Sequence, residues 1–251
     1  MENLKQLNAE RLSEIIKGFQ GKIFQGEAQF QFDLAWRFQE IYGPETKVNL
    51  EDMRMVKKNN EGKITQKSYT DIVVEQGVYS VAIELKYKTA KYNNKAEFIQ
   101  LLNHGAVDLS RYDYLWDVHR IEQLTGQSAQ DNKEKDGRVE VLKKCNKGLA
   151  VLLTNEEKYW KETGVKKEVI DRQFHFSEEA KKLVNKKMSW EKDGDTKELP
   201  KTVLTGSGKP SFRAQPIALK KAYGYQWFDY RKALPGEPKQ GTFRFVIIEV
   251  N

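Results

Sequence analysis

The sequence predicts an α/β protein in which helices flank a mixed β-sheet. Two observations support this fold class. Helical and strand patterns alternate along the chain, which is typical of α/β architectures. The run GLAVLLT at residues 148–154 has no polar alternation, which indicates a strand buried on both faces. We therefore expect a sheet that is covered by helices.

Two helices open the predicted fold. Apolar residues recur at helical spacing over residues 3–19 and again over residues 26–42, where Gly43-Pro44 ends the second pattern. Glu27 lies three residues before Phe30, the first residue of the second apolar stripe. This spacing places a carboxylate on the inward face of the helix at its N-terminus, which is an unusual position for an acid.

A β-hairpin is predicted at residues 69–89, and its second strand carries charges inside an apolar run. Glu84 and Lys86 alternate with apolar residues, so their side chains share one face of the strand. If Gln76-Gly77 is a two-residue turn, Asp71 pairs with Ala82 on that same face. Asp71 and Glu84 then become diagonal neighbours less than ~7–8 Å apart, close enough to hold one divalent cation.

The remaining elements follow from the same signals of periodicity, turn residues and capping. They are a bulged strand at residues 47–58, a long helix at 96–124 with a break allowed at Gly105, a polar loop at 126–137, a helix at 177–188, a loop at 189–216, and an antiparallel strand pair at 222–232 and 242–251.

Composition limits the class of protein. A chain of 251 residues with 39% hydrophobic residues is long enough for one sizeable core, and we expect a single domain over residues 1–251. A lone cysteine excludes an internal disulfide framework, and the three histidines lack metal-ligand spacing. The net charge of +7 permits an anionic partner. No apolar run approaches the ~18 residues of a membrane span, so we expect a soluble cytoplasmic protein without a membrane partner.

Asp71, the triplet Glu84-Leu85-Lys86 and Glu27 in a preceding helix resemble the site pattern of the PD-(D/E)xK nuclease superfamily. The order of elements over about residues 10–155 is also similar to the restriction-endonuclease-like core of that family. The proline that gives the family its name is absent, because Thr70 precedes Asp71. The resemblance implies a core at about 10–155, with residues 156–251 as an extension that adds a helix and a β-hairpin and completes the fold or gives specificity.

The resemblance also implies a function. It suggests a metal-dependent DNA endonuclease of restriction or phage defence that hydrolyses phosphodiester bonds. Asp71 and Glu84 would bind Mg²⁺, for which Mn²⁺ could substitute, and Glu27 would bind a second ion or orient a metal-bound water. Lys86 would position or deprotonate the attacking water and stabilise the developing charge. Cutting both strands with one site per chain would suggest a homodimer.

Substrate contacts are predicted from charge alone. Lys88, Lys91 and Lys95 follow the triplet, and Lys209 and Arg213 lie in the long loop before the last strands. Each could meet a phosphate of DNA, with RNA open as a second substrate. A solvated lysine-rich surface explains the same residues.

Several alternatives stay open. The triplet pattern recurs at Glu45-Thr46-Lys47 and Glu61-Gly62-Lys63, so the pattern alone is a weak signal. A solvated strand face or a buried ion pair would also explain Glu84 and Lys86. Three other functions therefore remain as alternatives to a defence endonuclease. They are a non-catalytic nucleic-acid-binding protein on the same scaffold, a repair or RNA-processing nuclease, and a protein-interaction module.

Overall fold

A computed structural model describes residues 2–95, 97–126, 133–134, 137–161, 169–183, 187–192 and 198–251. Within these ranges the α-helices are α1 Ala9–Lys17, α2 Glu27–Tyr42 and α3 Val107–Leu124. The strands are β1 Lys47–Lys58, β2 Ile64–Gln76, β3 Tyr79–Lys88, β4 Tyr92–Asn94, β5 Ile99–Leu101, β6 Lys133–Glu134, β7 Gly137–Val141, β8 Lys147–Thr154, β9 Lys182–Leu183, β10 Lys187–Met188, β11 Ile217–Ala218, β12 Tyr223–Arg231 and β13 Phe243–Val250. Short 3₁₀ helices lie at Leu4–Gln6, Glu157–Tyr159, Arg172–Phe174, Lys201–Val203, Phe212–Ala214 and Lys239–Gly241.

Nine of these strands form one sheet in the order β6-β7-β1-β2-β3-β8-β13-β12-β9. β3 and β8 run parallel, and the pairs on either side of them are antiparallel, so the sheet is mixed. The predicted C-terminal strand pair is confirmed as β12 and β13, and β13 pairs directly with β8. The last third of the chain therefore extends the sheet that the first 155 residues begin.

Helices cover both faces of the sheet, as the α/β prediction requires. α1 and α2 pack on one face against the odd-numbered residues of β3, among them Ile83 and Leu85. α3 packs on the other face against Ala150 and Leu152 of β8, together with aromatic residues of the C-terminal third. The face of β3 that carries Glu84 and Lys86 is therefore the α3 face. In the described ranges, no helix has both the length and the apolar character that a membrane crossing needs.

Gly148 sets how closely α3 approaches the sheet. A Cβ atom at this position would lie 1.8 Å from Cγ2 of Ile121, a separation that no real pair of carbons adopts. Only glycine lets the end of α3 pack directly on the first residues of β8. This close approach positions Asp117 and Arg120, in the turn of α3 just before Ile121, against β3.

The predicted helix at 96–124 begins only after Gly105, and its first part is wrong. Residues 99–101 form β5, which pairs with β4. Ile99 and Leu101 are buried while Gln100 is exposed, so the apolar period here is two rather than 3.6. Phe98 and Leu102, which a helix would have buried, are 90% and 69% exposed.

The predicted helix at 177–188 is also wrong in the part that is described, since residues 184–186 lie outside it. Leu183 pairs with Tyr223 and Met188 pairs with Ile217, and all four side chains are buried. Helix propensity is overridden here because short strands form hydrogen bonds instead, β9 with the edge strand β12 and β10 with β11 in a separate two-stranded sheet. The predicted loop at 126–137 falls mostly outside the described residues, although β6 and the start of β7 lie within it.

Candidate active site

The turn of the hairpin differs from the prediction by one residue. Gln76 pairs with Tyr79, so the two turn residues are Gly77 and Val78 rather than Gln76 and Gly77. Gly77 has φ +60°, and a two-residue turn with glycine in the first central position matches the strand twist well. The prediction had placed the glycine in the second position.

This shift changes the partner of Ala82. The ladder between β2 and β3 ends at the pair Ile72 and Ile83, and within it Ala82 pairs with Val73. The predicted pairing of Asp71 with Ala82 is therefore wrong. Asp71 lies one residue beyond the last pair on β2, and Glu84 lies one residue beyond it on β3.

The strands begin to separate at Asp71. Oδ2 of Asp71 accepts a hydrogen bond of 2.6 Å from the backbone N–H of Leu85. The carboxylate of Asp71 thus accepts the hydrogen bond that a backbone carbonyl of β2 would accept in a continuous ladder. Asp71 is thereby tied to the backbone of β3 just beyond the last pair of the ladder.

Two residues of α3 complete the charged cluster. Asp117 Oδ2 lies 2.7 Å from Nζ of Lys86, and Nη2 of Arg120 lies 3.1 Å from Oε1 of Glu84. Arg120 Nη1 also lies 3.2 Å from Oδ1 of Asp117. Glu84 is only 2% exposed and Asp117 only 4%. We call the five residues Asp71, Glu84, Lys86, Asp117 and Arg120 the hairpin cluster.

Glu27 reaches the same place from the other side of the sheet. It is the first residue of α2, where a negative charge interacts favourably with the helix dipole. Its Oε2 accepts a hydrogen bond of 2.7 Å from the backbone N–H of Tyr87, next to Lys86. Its carboxylate therefore meets β3 where β2 no longer pairs, although the residue as a whole is exposed.

Burial raises the pKa of both hairpin carboxyls. Loss of water is the largest influence on Asp71 and outweighs its hydrogen bond from Leu85, so its pKa rises to about 6. Burial likewise raises the pKa of Glu84 well above its ordinary value, and the attraction of Arg120 opposes this only in part. Two desolvated carboxylates that face each other are a strained pair without further positive charge.

The pKa values of the two cations of the cluster are also raised, but by their acidic neighbours rather than by burial. Burial by itself would lower the pKa of Lys86, but the carboxylates of Asp117 and Glu27 outweigh it and raise that pKa above its ordinary value. Burial also opposes the charge of Arg120, whose pKa nevertheless rises because of Glu84 and Asp117. Lys86 is therefore an ammonium group in this arrangement, which favours charge stabilisation over proton removal as its role.

The pKa of Asp71 predicts a pH dependence of stability. The folded protein holds the proton with a pKa of about 6, against 3.8 for the ordinary group, so the free energy of unfolding falls as pH rises from about 4 to about 6. In EDTA, Asp71→Asn should be more stable than the wild type by about 3 kcal/mol at pH 8, and the two should converge below about pH 4. Urea unfolding at a series of pH values measures the difference.

The matched control is Asp229→Asn, because the side chain of Asp229 is 62% exposed. A stability difference for Asp71→Asn that is the same at pH 4 and pH 8 would contradict the raised pKa.

Asp71 and Glu84 are the two residues of the cluster that could hold a divalent cation, because they offer hard carboxylate oxygens on one face. Glu84 Oε1 is buried and makes no hydrogen bond, but it lies 3.1 Å from Nη2 of Arg120. Mg²⁺ is usually held by one or two carboxylates together with waters, so a cation at this pair would need water as its remaining ligands. Within the described ranges, no group of three or more histidine, cysteine, aspartate or glutamate side chains is arranged to hold a metal ion.

The predicted substrate contacts are not gathered in one place. Lys88 is half-buried at the end of β3, while Lys91, Lys95 and Lys209 are exposed. Arg213 is different because its guanidinium forms two contacts with the carboxylate of Asp113 in α3, at 2.7 and 2.9 Å. Its charge is thus largely compensated, which weakens its predicted role as a simple phosphate contact.

The sequence patterns did not single out Asp117 or Arg120 as site residues. The signal was present, because Asp113, Asp117 and Arg120 recur at spacings of four and three and so share one face of α3. Apolar residues of the same helix obscure this signal, since Tyr112 and Leu115 are buried between the polar positions. Polar side chains that repeat at helical spacing inside an apolar helix indicate a buried polar site.

Comparisons of the chain with protein-family models, with curated proteins and with solved structures give no match.

Proposed function

We propose that this protein is a metal-dependent DNA endonuclease with a restriction-endonuclease-like core. One observation carries the proposal: Asp71, Glu84 and Lys86 share the α3 face of the hairpin at the point where its two strands separate. Acidic oxygens beside a fixed ammonium group suit a phosphodiester, since the acids can hold a cation and the ammonium can meet a phosphate oxygen.

Each residue would have a distinct role. Asp71 and Glu84 would hold Mg²⁺, which supplies charge neutralisation at the scissile phosphate and activation of a water nucleophile. Lys86 would donate a hydrogen bond to a nonbridging phosphate oxygen as negative charge develops there. Asp117, 2.7 Å from Lys86, fixes the direction of the ammonium group. Glu27 anchors α2 to β3 and places one more carboxylate beside the site.

A second candidate is a DNA-binding protein on the same scaffold that has no turnover. It is favoured by Arg120, which lies 3.1 Å from Glu84 and supplies positive charge where a cation would otherwise be required. The two candidates differ in one respect: only an enzyme has a divalent cation that competes with Arg120 for Glu84. Metal-dependent cleavage separates them.

The experiment is incubation of supercoiled plasmid with the purified protein in Mg²⁺, Mn²⁺ or EDTA. We expect nicking or linearisation in either metal and none in EDTA. Lys86→Gln should cleave about 100-fold more slowly, the usual loss when one donor to a developing anion is removed. Nicks without linear product would indicate a monomer, and direct linearisation would indicate the homodimer that the proposal includes.

Lys63→Gln is the matched control, because Lys63 ends another acid-x-lysine triplet but lies exposed in the turn between β1 and β2. It should cleave at the wild-type rate. Equal rates for wild type and Lys86→Gln would refute the role of Lys86. Absence of cleavage in every condition would favour the DNA-binding protein without turnover.

A further inference from the structure

A cleft of about 420 Å³ lies beside the hairpin cluster on the α3 face of the sheet. Lys86, Asp117 and Arg120 line its inner side. The other sides come from β1, β2, α3 and the turn at residues 211–215. This volume falls within the ~300–1,000 Å³ typical of sites for small organic groups.

Flat side chains form one wall of the cleft. Phe212 is 52% exposed, and the guanidinium of Arg213 lies 4.9 Å from the centre of its ring. Trp116 of α3 is half-buried and also lines the cleft. Aromatic rings and guanidinium planes are the surfaces on which nucleic-acid bases stack, whatever their sequence. Asp113 holds Arg213 in place with two contacts, so this wall is preformed.

Side-chain hydrogen bonds hold the backbone of the turn that carries Phe212. The hydroxyl of Tyr112 donates to the carbonyl oxygens of Phe212 and Gln215, at 3.3 and 2.9 Å. Nε1 of Trp190 donates to the carbonyl of Arg213 at 2.7 Å. An exposed aromatic ring on a rigid support is poorly explained by core packing, and it loses little conformational freedom when a ligand stacks on it.

Polar groups on the remaining sides can meet the edge of a base. Three amide side chains line the cleft, those of Gln66, Gln123 and Gln215, together with the hydroxyl of Ser68. An amide has both donor and acceptor atoms, which suits the mixed donor and acceptor edges of nucleobases. Stacking surfaces and amides together describe a site for a planar polar heterocycle rather than for a lipid or an aliphatic chain.

We propose that this cleft binds a single unstacked base of the DNA strand that the hairpin cluster cuts. The inference rests on the proposed function, because a phosphate held at Lys86 brings the neighbouring nucleotide to the mouth of the cleft. A base inside a duplex cannot reach such a site unless it leaves the stack, and this costs least at a mismatch or an unpaired position. The substrate class is therefore DNA with an unpaired or easily extruded base next to the cut.

The test is binding of labelled oligonucleotides in EDTA, which prevents cleavage, at one fixed salt concentration. The probes are a fully paired duplex and the same duplex with one central mismatch that contains 2-aminopurine. We expect the wild type to bind the mismatched duplex more tightly and to quench 2-aminopurine as the base stacks. Phe212→Ala should raise the Kd for the mismatched duplex about 10-fold and abolish the quenching.

Phe32→Ala is the matched control, because Phe32 is 58% exposed on α2, on the opposite side of the sheet. It should retain the wild-type Kd and quenching. Unchanged Kd and quenching in Phe212→Ala would overturn the base site while leaving metal-dependent cleavage in the plasmid assay intact. Equal affinity of the wild type for paired and mismatched duplexes would also overturn it. Absence of binding to either duplex would also overturn this inference, whereas the proposed function is decided separately by the plasmid assay in Mg²⁺ or Mn²⁺.

Discussion

Glu84→Gln is expected to lower metal-dependent cleavage at least about 10³-fold while the fold is retained. The substitution keeps the size and shape of the side chain but removes the negative charge that would hold the cation. A bound metal ion contributes several kcal/mol to stabilising a phosphoryl transition state, which corresponds to a rate factor of this size. Initial rates on plasmid DNA, with circular dichroism as the check on folding, measure the effect.

The fold should survive this change because the buried carboxylate of Glu84 destabilises the folded protein in the absence of metal. It is 2% exposed, and burial raises its pKa. A neutral amide avoids that desolvation penalty. Arg120 keeps its contact with Asp117 when Glu84 is neutral.

Glu61→Gln is the control for Glu84→Gln, since Glu61 begins an acid-x-lysine triplet in an exposed turn. Wild-type rates in Glu61→Gln, together with the loss in Glu84→Gln, would separate the buried triplet from its exposed copy. Cleavage by Glu84→Gln within a few fold of the wild-type rate would refute the assignment.

Arg120→Ala should lower the free energy of unfolding in EDTA by about 3 kcal/mol. Removing one partner of a buried ion pair leaves uncompensated charge, and here both Glu84 and Asp117 lose a partner. Arg120 keeps 19% of its side chain exposed, so the expected loss is at the lower end of the usual range. Urea unfolding of both proteins gives the difference.

Mg²⁺ should recover part of that loss, because the freed carboxylate of Glu84 can then face a cation without competition. We expect the stabilisation by Mg²⁺ to be larger in Arg120→Ala than in the wild type. Arg37→Ala is the matched control: Arg37 pairs with Glu40 on the exposed surface of α2, and such pairs contribute under about 1 kcal/mol. Equal stabilisation of all three proteins by Mg²⁺ would show that Arg120 does not share Glu84 with a cation.

Most features of the hairpin could be predicted from the sequence, but the register of its two strands could not. Side-chain parity along residues 81–88 correctly placed Glu84 and Lys86 on one face, because alternation is a local property of a strand. The turn could not be fixed in the same way, since Gly77 fits either central position of a two-residue turn. Because of this difference of one register step, Val73 rather than Asp71 pairs with Ala82.

The rest of the cluster depends on contacts between distant parts of the chain. Asp117 meets Lys86 because Gly148 allows α3 to approach β8, and no pattern within α3 contains that information. The strands at Leu183 and Met188 likewise form against partners 29 or more residues away. Local propensity predicted a helix there, and tertiary pairing overrode it.

The most direct measurement is titration of the wild type and Glu84→Gln with Mg²⁺ and Mn²⁺ at pH 8, followed by calorimetry and by thermal unfolding. We expect the wild type to bind either ion and to gain stability as the metal concentration rises, by about 2.7 kcal/mol at 100 times the Kd. Glu84→Gln should show neither binding nor stabilisation. Equal binding by the two proteins, or no binding by the wild type, would contradict a cation site between Asp71 and Glu84.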